Sequence, residues 1–256
     1  MVWSGLAEKK RAGKSVEVSI SESRHAQILG EIYHEFARLP IDKILSHSSL
    51  NVLALLNTPR SVKHIALATG LSRTWIHHSI KSMGKYGIVV KRDENYELNP
   101  KHSKIRKFVE SYFAYANHNI ARALSEGAVI LWQRGNEFLF KTKERVKNEV
   151  KETAITKFPS FGIQMISETR YYFYSKRGID NSDILMHVIL IDPKSQTYNA
   201  YACIFYQKVK PENLIEKAEI YDLQEHVELL IKHLKTKERN FFMSWKEYES
   251  LARDYG

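Results

Sequence analysis

From Arg73 to Arg92 the chain carries eight side chains able to meet a polyanion and not one carboxylate: Arg73, Thr74, His77, His78, Lys81, Lys85, Lys91 and Arg92. A guanidinium offers two parallel N–H groups that match the O6 and N7 edge of guanine, hydroxyl and imidazole groups reach single base-edge atoms, and ammonium groups neutralise phosphate. If residues 73–86 form a helix at 100° per residue, Ile76, Ile80 and Met83 share one narrow arc. Thr74, His78, Lys81 and Lys85 then fall on the opposite arc, with His77 at its edge and Arg73 in the first turn. A solvated helix face ordinarily mixes signs, so an acid-free one points to a polyanion. Trp75 lies off both arcs and reads as packing.

Other chemistries are weaker. Glu149-Val-Lys151 matches half of a metal-dependent nuclease site, and Glu137 is the only local candidate for its upstream acid. His77 and His78 are adjacent, so on a helix they diverge by about 100° and chelate poorly. His226 and His233 share a helix face without a nearby third ligand, and His187, inside an apolar stretch, reads as a hydrogen-bonded core histidine. There is no Gly-x-Gly-x-x-Gly, phosphate-binding lysine loop, Gly-x-Ser-x-Gly, His-Glu-x-x-His or Asp-x-Asp. The expectation is a protein that is not an enzyme, with no cofactor and no metal.

The donor-rich segment needs particular elements to position it. Ser61 can cap a helix through Thr69, with Val62, Ile65, Ala66 and Ala68 inward. Gly70 and Leu71 turn the chain, and Ser72 caps a second helix to about Tyr86, which Gly87 ends. Ile88–Arg92 and Tyr96–Leu98 then form a hairpin around Asp93-Glu94-Asn95, and Pro100 stops it. Ala66 lets the helices cross closely, Gly70 supplies the turn conformation and Ile76 anchors the second helix.

The run Ser61-Val-Lys-His-Ile-Ala-Leu-Ala-Thr-Gly-Leu-Ser-Arg-Thr-Trp-Ile-His-His-Ser-Ile-Lys-Ser-Met, continued by Gly84-Lys-Tyr-Gly-Ile-Val, resembles the winged helix-turn-helix domains of bacterial and archaeal regulators. It is similar to the ArsR-like and MarR-like groups from Ile41 to Pro100. The resemblance implies that the helix beginning at Arg73 enters the major groove of double-stranded DNA. Lys81 and Lys85 would meet phosphate from the helix, and Lys91 and Arg92 from the wing, although Asp93 and Glu94 at the wing tip repel it. In such regulators the helix after the wing often pairs with its counterpart in a dimer.

Before this segment, Val16, Val18 and Ile20 alternate like a strand over 15–21, and the rest of 1–20 reads as weakly ordered. A helix follows over 22–38, with Ile28, Leu29, Ile32, Phe36 and Leu39 on one face, and Pro40 ends it. Another apolar helix begins properly at Ser48 or Ser49. After Pro100 an amphipathic helix spans 103–125. Its stripe of Ile105, Phe108, Val109, Tyr112, Ala116, Ile120 and Leu124 is too broad for a small wing domain to cover and predicts a homodimer.

Further on, a hairpin flanks Arg134-Gly135-Asn136, a short helix spans 153–161, and the run Tyr171–Tyr174 suits a buried strand or, less simply, a pocket wall. A helix capped by Ser182 or Asp183 runs to Ile191, followed by an apolar element over 199–207. Helices over 211–221, 223–234 and 244–255 close the chain, the last opened by the capping box Ser244-Trp-Lys-Glu. The predicted class is α+β and helix-rich. The organisation is an N-terminal extension and helix (1–40), a winged helix-turn-helix domain (41–100), a linking or dimerisation helix (101–126) and a C-terminal α+β domain (127–256).

Of 256 residues, 43% are hydrophobic and 27% charged, a globular composition, and one cysteine, Cys203, excludes an intrachain disulfide. No apolar run approaches a membrane span, and no signal-peptide layout opens the chain, so a cytoplasmic location is expected. The net charge is +10, and it is uneven. Residues 1–160 carry 26 Lys/Arg against 15 Asp/Glu, while residues 161–256 carry 13 against 14. One half is suited to a polyanion and the other to something else.

The sequence therefore leads to a sequence-specific, double-stranded DNA-binding transcriptional regulator of archaeal-like type. Its C-terminal domain would serve oligomerisation or take a small-molecule or protein effector. The alternatives are a nucleic-acid-processing enzyme targeted by the winged helix and an antitoxin-type autorepressor, since the domain order is similar to AbiEi-type antitoxins.

Overall fold

A computed structural model describes residues 5–13, 15–147, 150–238 and 243–255. The chain divides into two units, Met1–Ile120 with Arg134–Asn136, and Ala121–Gln133 with Glu137–Gly256. The break at Ile120 precedes the change of domain expected from the sequence after residue 126.

In the first unit, β1 (Ala7–Ala12) and β2 (Ser15–Ile20) form an antiparallel ribbon. Alternation in the sequence reveals β2, whereas β1 falls in the stretch expected to be weakly ordered. The run Glu8-Lys-Lys-Arg11 has no apolar period to reveal a strand. Helix α1 (Arg24–Glu35) buries Ile32 and packs Ile28 and Leu29 against the core. After α2 (Ile41–Ile44), α3 (His47–Leu53) is capped at Ser46, whose backbone is still extended at φ −63 and ψ 154. Ser48 and Ser49, the expected caps, lie within its first turn. There Ser49 is buried and accepts a hydrogen bond from Ser46 Oγ at 3.0 Å.

Helix α4 (Val62–Thr69) starts where Ser61 Oγ accepts the His64 N–H at 3.2 Å, and it ends at Gly70, φ +69. Helix α5 (Arg73–Gly84) starts the same way, with Ser72 Oγ accepting the Trp75 N–H at 3.2 Å. Strands β3 (Val89–Arg92) and β4 (Asn95–Leu98) form a hairpin. Arg60 joins its outer edge, exchanging N–H···O bonds of 2.9 and 2.8 Å with Tyr96.

One apolar cluster draws on Ile32 (α1), Leu53 (α3), Ile65 (α4), Ile76, Ile80 and Met83 (α5), Leu98 (β4), and α6 (Ser103–Leu124). Ile105, Phe108 and Val109 of α6 are buried in it, and Tyr112 packs against it. The stripe expected to await a second copy is thus covered, at these positions, by its own unit.

The second unit holds a four-stranded sheet of β5 (Val129–Arg134), β6 (Glu137–Thr142), β7 (Lys151–Glu152) and β8 (Arg170–Tyr174), in the order β5-β6-β8-β7. Central β8 buries Tyr171, Tyr172 and Phe173, and Phe140 stacks on Tyr172 with ring centroids 5.5 Å apart. Helix α7 (Asn181–Ile191) is buried at every residue from Ser182 to Leu190, which suits a helix apolar all round. Its cap is Asp180, not Ser182 or Asp183. The Asp180 carboxylate accepts the Asp183 N–H, and the Asp183 carboxylate accepts the Asp180 N–H, both at 3.0 Å.

Helices α8 (Gln196–Val209), α9 (Leu214–Tyr221), α10 (Gln224–Thr236) and α11 (Trp245–Tyr255) complete the unit. Ser244 and Glu247 form the expected reciprocal cap of α11, with Glu247 Oε2 accepting the Ser244 N–H at 2.9 Å. The chain is α+β and rich in helix. Among the described residues, no helix is long and apolar enough to cross a membrane.

Candidate nucleic-acid interface

The two faces of α5 separate as the helical wheel requires. Ile76, Ile80 and Met83 are buried, and Arg73, Thr74, His77, His78, Lys81 and Lys85 are exposed. Trp75 is half-buried against the core. The buried Ser79 lies between the two groups, its Oγ 3.4 Å from Ser49 Oγ on α3.

The hairpin contributes unequally. His77, Lys81 and Lys91 line a groove of about 390 Å³ between α5 and β3–β4, whose floor is Ile80, Val89 and Tyr96. Lys91 thus joins the helix cations, while its Nζ stands 4.0 Å from Glu94. Arg92 turns to Glu97, with Nε to Oε1 at 2.6 Å, and is tied within the hairpin rather than free at its edge. Arg73 and Thr74, in the first turn of α5, do not line this groove. Tyr96 joins the groove because the hairpin register sets it opposite Lys91, and sequence reasoning, which places Tyr96 in the second strand, does not fix that register.

The second unit contains a buried polar network of which Glu137, His187 and, as a helix cap, Asp183 stand out in the sequence. Arg177, just after β8, donates from Nε to Glu137 at 2.9 Å, from Nη1 to Asp183 at 2.9 Å and from Nη2 to Tyr221 at 2.6 Å. Tyr221 donates to Asp183 at 2.8 Å, and Lys217 Nζ reaches Asp183 at 2.7 Å and Asp180 at 2.9 Å. His187 lies between Thr153 Oγ1, 2.7 Å from Nδ1, and Tyr221 OH, 2.9 Å from Nε2. Ser175 Oγ donates to Glu137.

Burial acts against the Asp183 carboxylate, but Arg177 and Lys217 outweigh it and hold its pKa well below the usual range. At Glu137 burial wins over Arg177 and Ser175, and the pKa is raised. Burial pushes the His187 imidazole down to about 3, so it is neutral at pH 7.

This network braces β6, β8, α7 and α9. Glu137, the candidate nuclease acid, is engaged by Arg177 and Ser175. Glu149 lies outside the described residues, and Lys151 Nζ donates to Ser175 O at 2.6 Å. Among the described residues no group of three or more His, Cys, Asp and Glu could hold a metal ion. His226 and His233 have separate partners, Asn199 Oδ1 at 2.6 Å and Glu238 O at 2.9 Å.

Residues 147–256 match a family model described as HVO_2833_C, C-terminal. No curated protein and no solved structure matches the chain.

Proposed function

We propose that the first unit reads double-stranded DNA through α5, and that the protein is a sequence-specific transcriptional regulator acting in the cytoplasm. On this reading α4, the Gly70 turn, α5 and the β3–β4 hairpin are a winged helix-turn-helix. The observation that carries it is the exposed, acid-free face of α5, set opposite the buried Ile76, Ile80 and Met83.

Arg73, at the N-terminal end, is the base reader, pairing in bidentate fashion with guanine. Thr74, His77 and His78 make single base contacts. Lys81, Lys85 and Lys91 meet phosphate. Arg92 must leave Glu97 to do so and contributes least. The second unit, close to balanced in charge with 20 Lys/Arg against 19 Asp/Glu and built around the Arg177 network, takes a small-molecule or protein effector.

The test is binding of the full chain to fragmented genomic duplex DNA at increasing salt. Three phosphate contacts per copy give a slope of log affinity against log salt of about −2.7. Absence of binding, or an affinity indifferent to salt, contradicts the reading.

A further inference from the structure

The β1–β2 ribbon presents an apolar face to solvent. Val16, Val18 and Ile20 are 58%, 63% and 67% exposed. A two-stranded ribbon is marginal in water by itself, and one whose apolar residues cover nothing is more so. Its two edges differ in charge. The outer edge of β1 carries Lys9, Lys10 and Arg11, which repel another such edge, as edge lysines do in sheets that avoid self-association. β2 carries one charge, Glu17.

The ladder also says which backbone groups are free. Ala7 lies opposite Ile20, and the pairing continues through Leu6, whose carbonyl accepts the Ser21 N–H at 3.1 Å. Hydrogen-bonded pairs alternate along an antiparallel ladder. The odd-numbered residues of β2 therefore turn their N–H and C=O groups toward β1. Those of Val16, Val18 and Ile20 point to the free edge.

We propose that β2 pairs antiparallel with β2 of a second copy, Val18 opposite Val18, so that two ribbons join into one four-stranded sheet. The register follows from the ladder. Only even residues can exchange hydrogen bonds across the new edge, which restricts the symmetric choices. Centring on Glu17 sets two carboxylates directly opposite, an unfavourable pair. Centring on Ser19 shortens the overlap. Centring on Val18 places Val16 opposite Ile20 and Glu17 opposite Ser19 and uses the whole strand.

Stacking the ribbons face to face would instead bring Lys9 and Arg11, which share the apolar face as cross-strand neighbours of Val18 and Val16, against their own copies. In the edge-paired sheet the two β1 strands lie three strand spacings apart, about 14 Å. That exceeds the screening length of about 10 Å at 0.1 M salt. Pairing of β2 does not depend on what α5 reads.

The test uses the full chain free of nucleic acid. Sedimentation at micromolar concentration should give twice the 29.8 kDa mass. Val18→Lys, at a position exposed in the ribbon, sets two ammonium groups opposite each other and should return it to the single mass with an unchanged circular dichroism spectrum. Cysteine variants test the register directly, since the one native cysteine, Cys203, is buried. Under mild oxidation Val18→Cys should cross-link, because opposed Cα atoms about 5.5 Å apart suit a disulfide. Lys9→Cys should not. A wild-type monomer, a dimer that forms only when DNA is added, a dimer that survives Val18→Lys, or cross-linking of Lys9→Cys as fast as Val18→Cys each overturns the proposal.

Discussion

Ile76 and Arg73 lie three residues apart on α5 and should respond to truncation in opposite ways. Ile76 is 0% exposed, and Ile76→Ala leaves a cavity costing about 2–5 kcal/mol in urea unfolding. Arg73→Ala, on the exposed face, should change stability by no more than about 0.5 kcal/mol. Equal losses would mean that the faces of α5 are not separated as described. In the second unit, Asp183→Ala removes the carboxylate shared by Arg177, Lys217 and Tyr221 and leaves two cations without it. A loss of about 3–5 kcal/mol is expected, and a neutral result would show the network to be dispensable.

His187 makes the network sensitive to pH. Its folded pKa of about 3 lies below the ordinary histidine value of 6.5, so in acid the unfolded chain takes up a proton that the folded chain refuses. Stability is full above pH 6.5 and falls as pH drops toward 3, by at most about 1.4 kcal/mol per pH unit. Glu137, whose folded pKa is raised, acts in the opposite sense: its contribution is present below about 4.5 and is lost as pH rises through the folded value. The two are separated by subtracting the His187→Gln stability curve from that of the wild type. The difference should slope between pH 6.5 and 4, and parallel curves would refute the assignment.

Elements with a cap and a period of their own were legible; those made by distant partners were not. Ser61, Ser72 and Gly70 announced α4 and α5 because each acts within one turn, and the Val16-Val18-Ile20 alternation announced β2. Strand β1 stayed hidden because its residues are charged and its partner supplies the only pattern. The α6 stripe was legible, but its covering was not, since Ile105 and Phe108 are buried by residues as distant in sequence as Ile32. The Arg177 network joins residues from Glu137 to Tyr221, and no local spacing could have gathered them. On the donor face, exposure followed the wheel, whereas the tie between Arg92 and Glu97 needed the hairpin register. At this scale Gly70 is the sharpest point. It sits at φ +69, and a Cβ there would meet open space, so Gly70→Ala brings backbone strain alone. A loss of about 1–2 kcal/mol is expected in thermal or urea unfolding, and no loss would mean the α4–α5 turn does not need the left-handed conformation.

Across the whole molecule the positive charge and the donor face coincide in the first unit, which carries 19 Lys/Arg against 10 Asp/Glu, and the second unit, with 20 against 19, holds the buried network. The matched segment 147–256 begins after β6, yet β6 pairs with central β8, Phe138 opposite Tyr174 and Phe140 opposite Tyr172. A fragment of residues 147–256 alone loses that neighbour and should show no cooperative thermal transition by circular dichroism. A sharp native-like melt would show that the sheet does not need β6. The function proposed for the first unit, unlike the pairing of β2, depends on α5 as the reader of DNA. The most direct measurement is selection of bound duplexes from a random pool, with salt titrations, for wild type, Arg73→Ala and Lys81→Ala. Arg73→Ala should lose preference at one position, worth about 1–3 kcal/mol, while Lys81→Ala should weaken all sequences alike and flatten the salt slope by about 0.9. If all three proteins select the same sequences with the same affinity and slope, α5 does not read DNA.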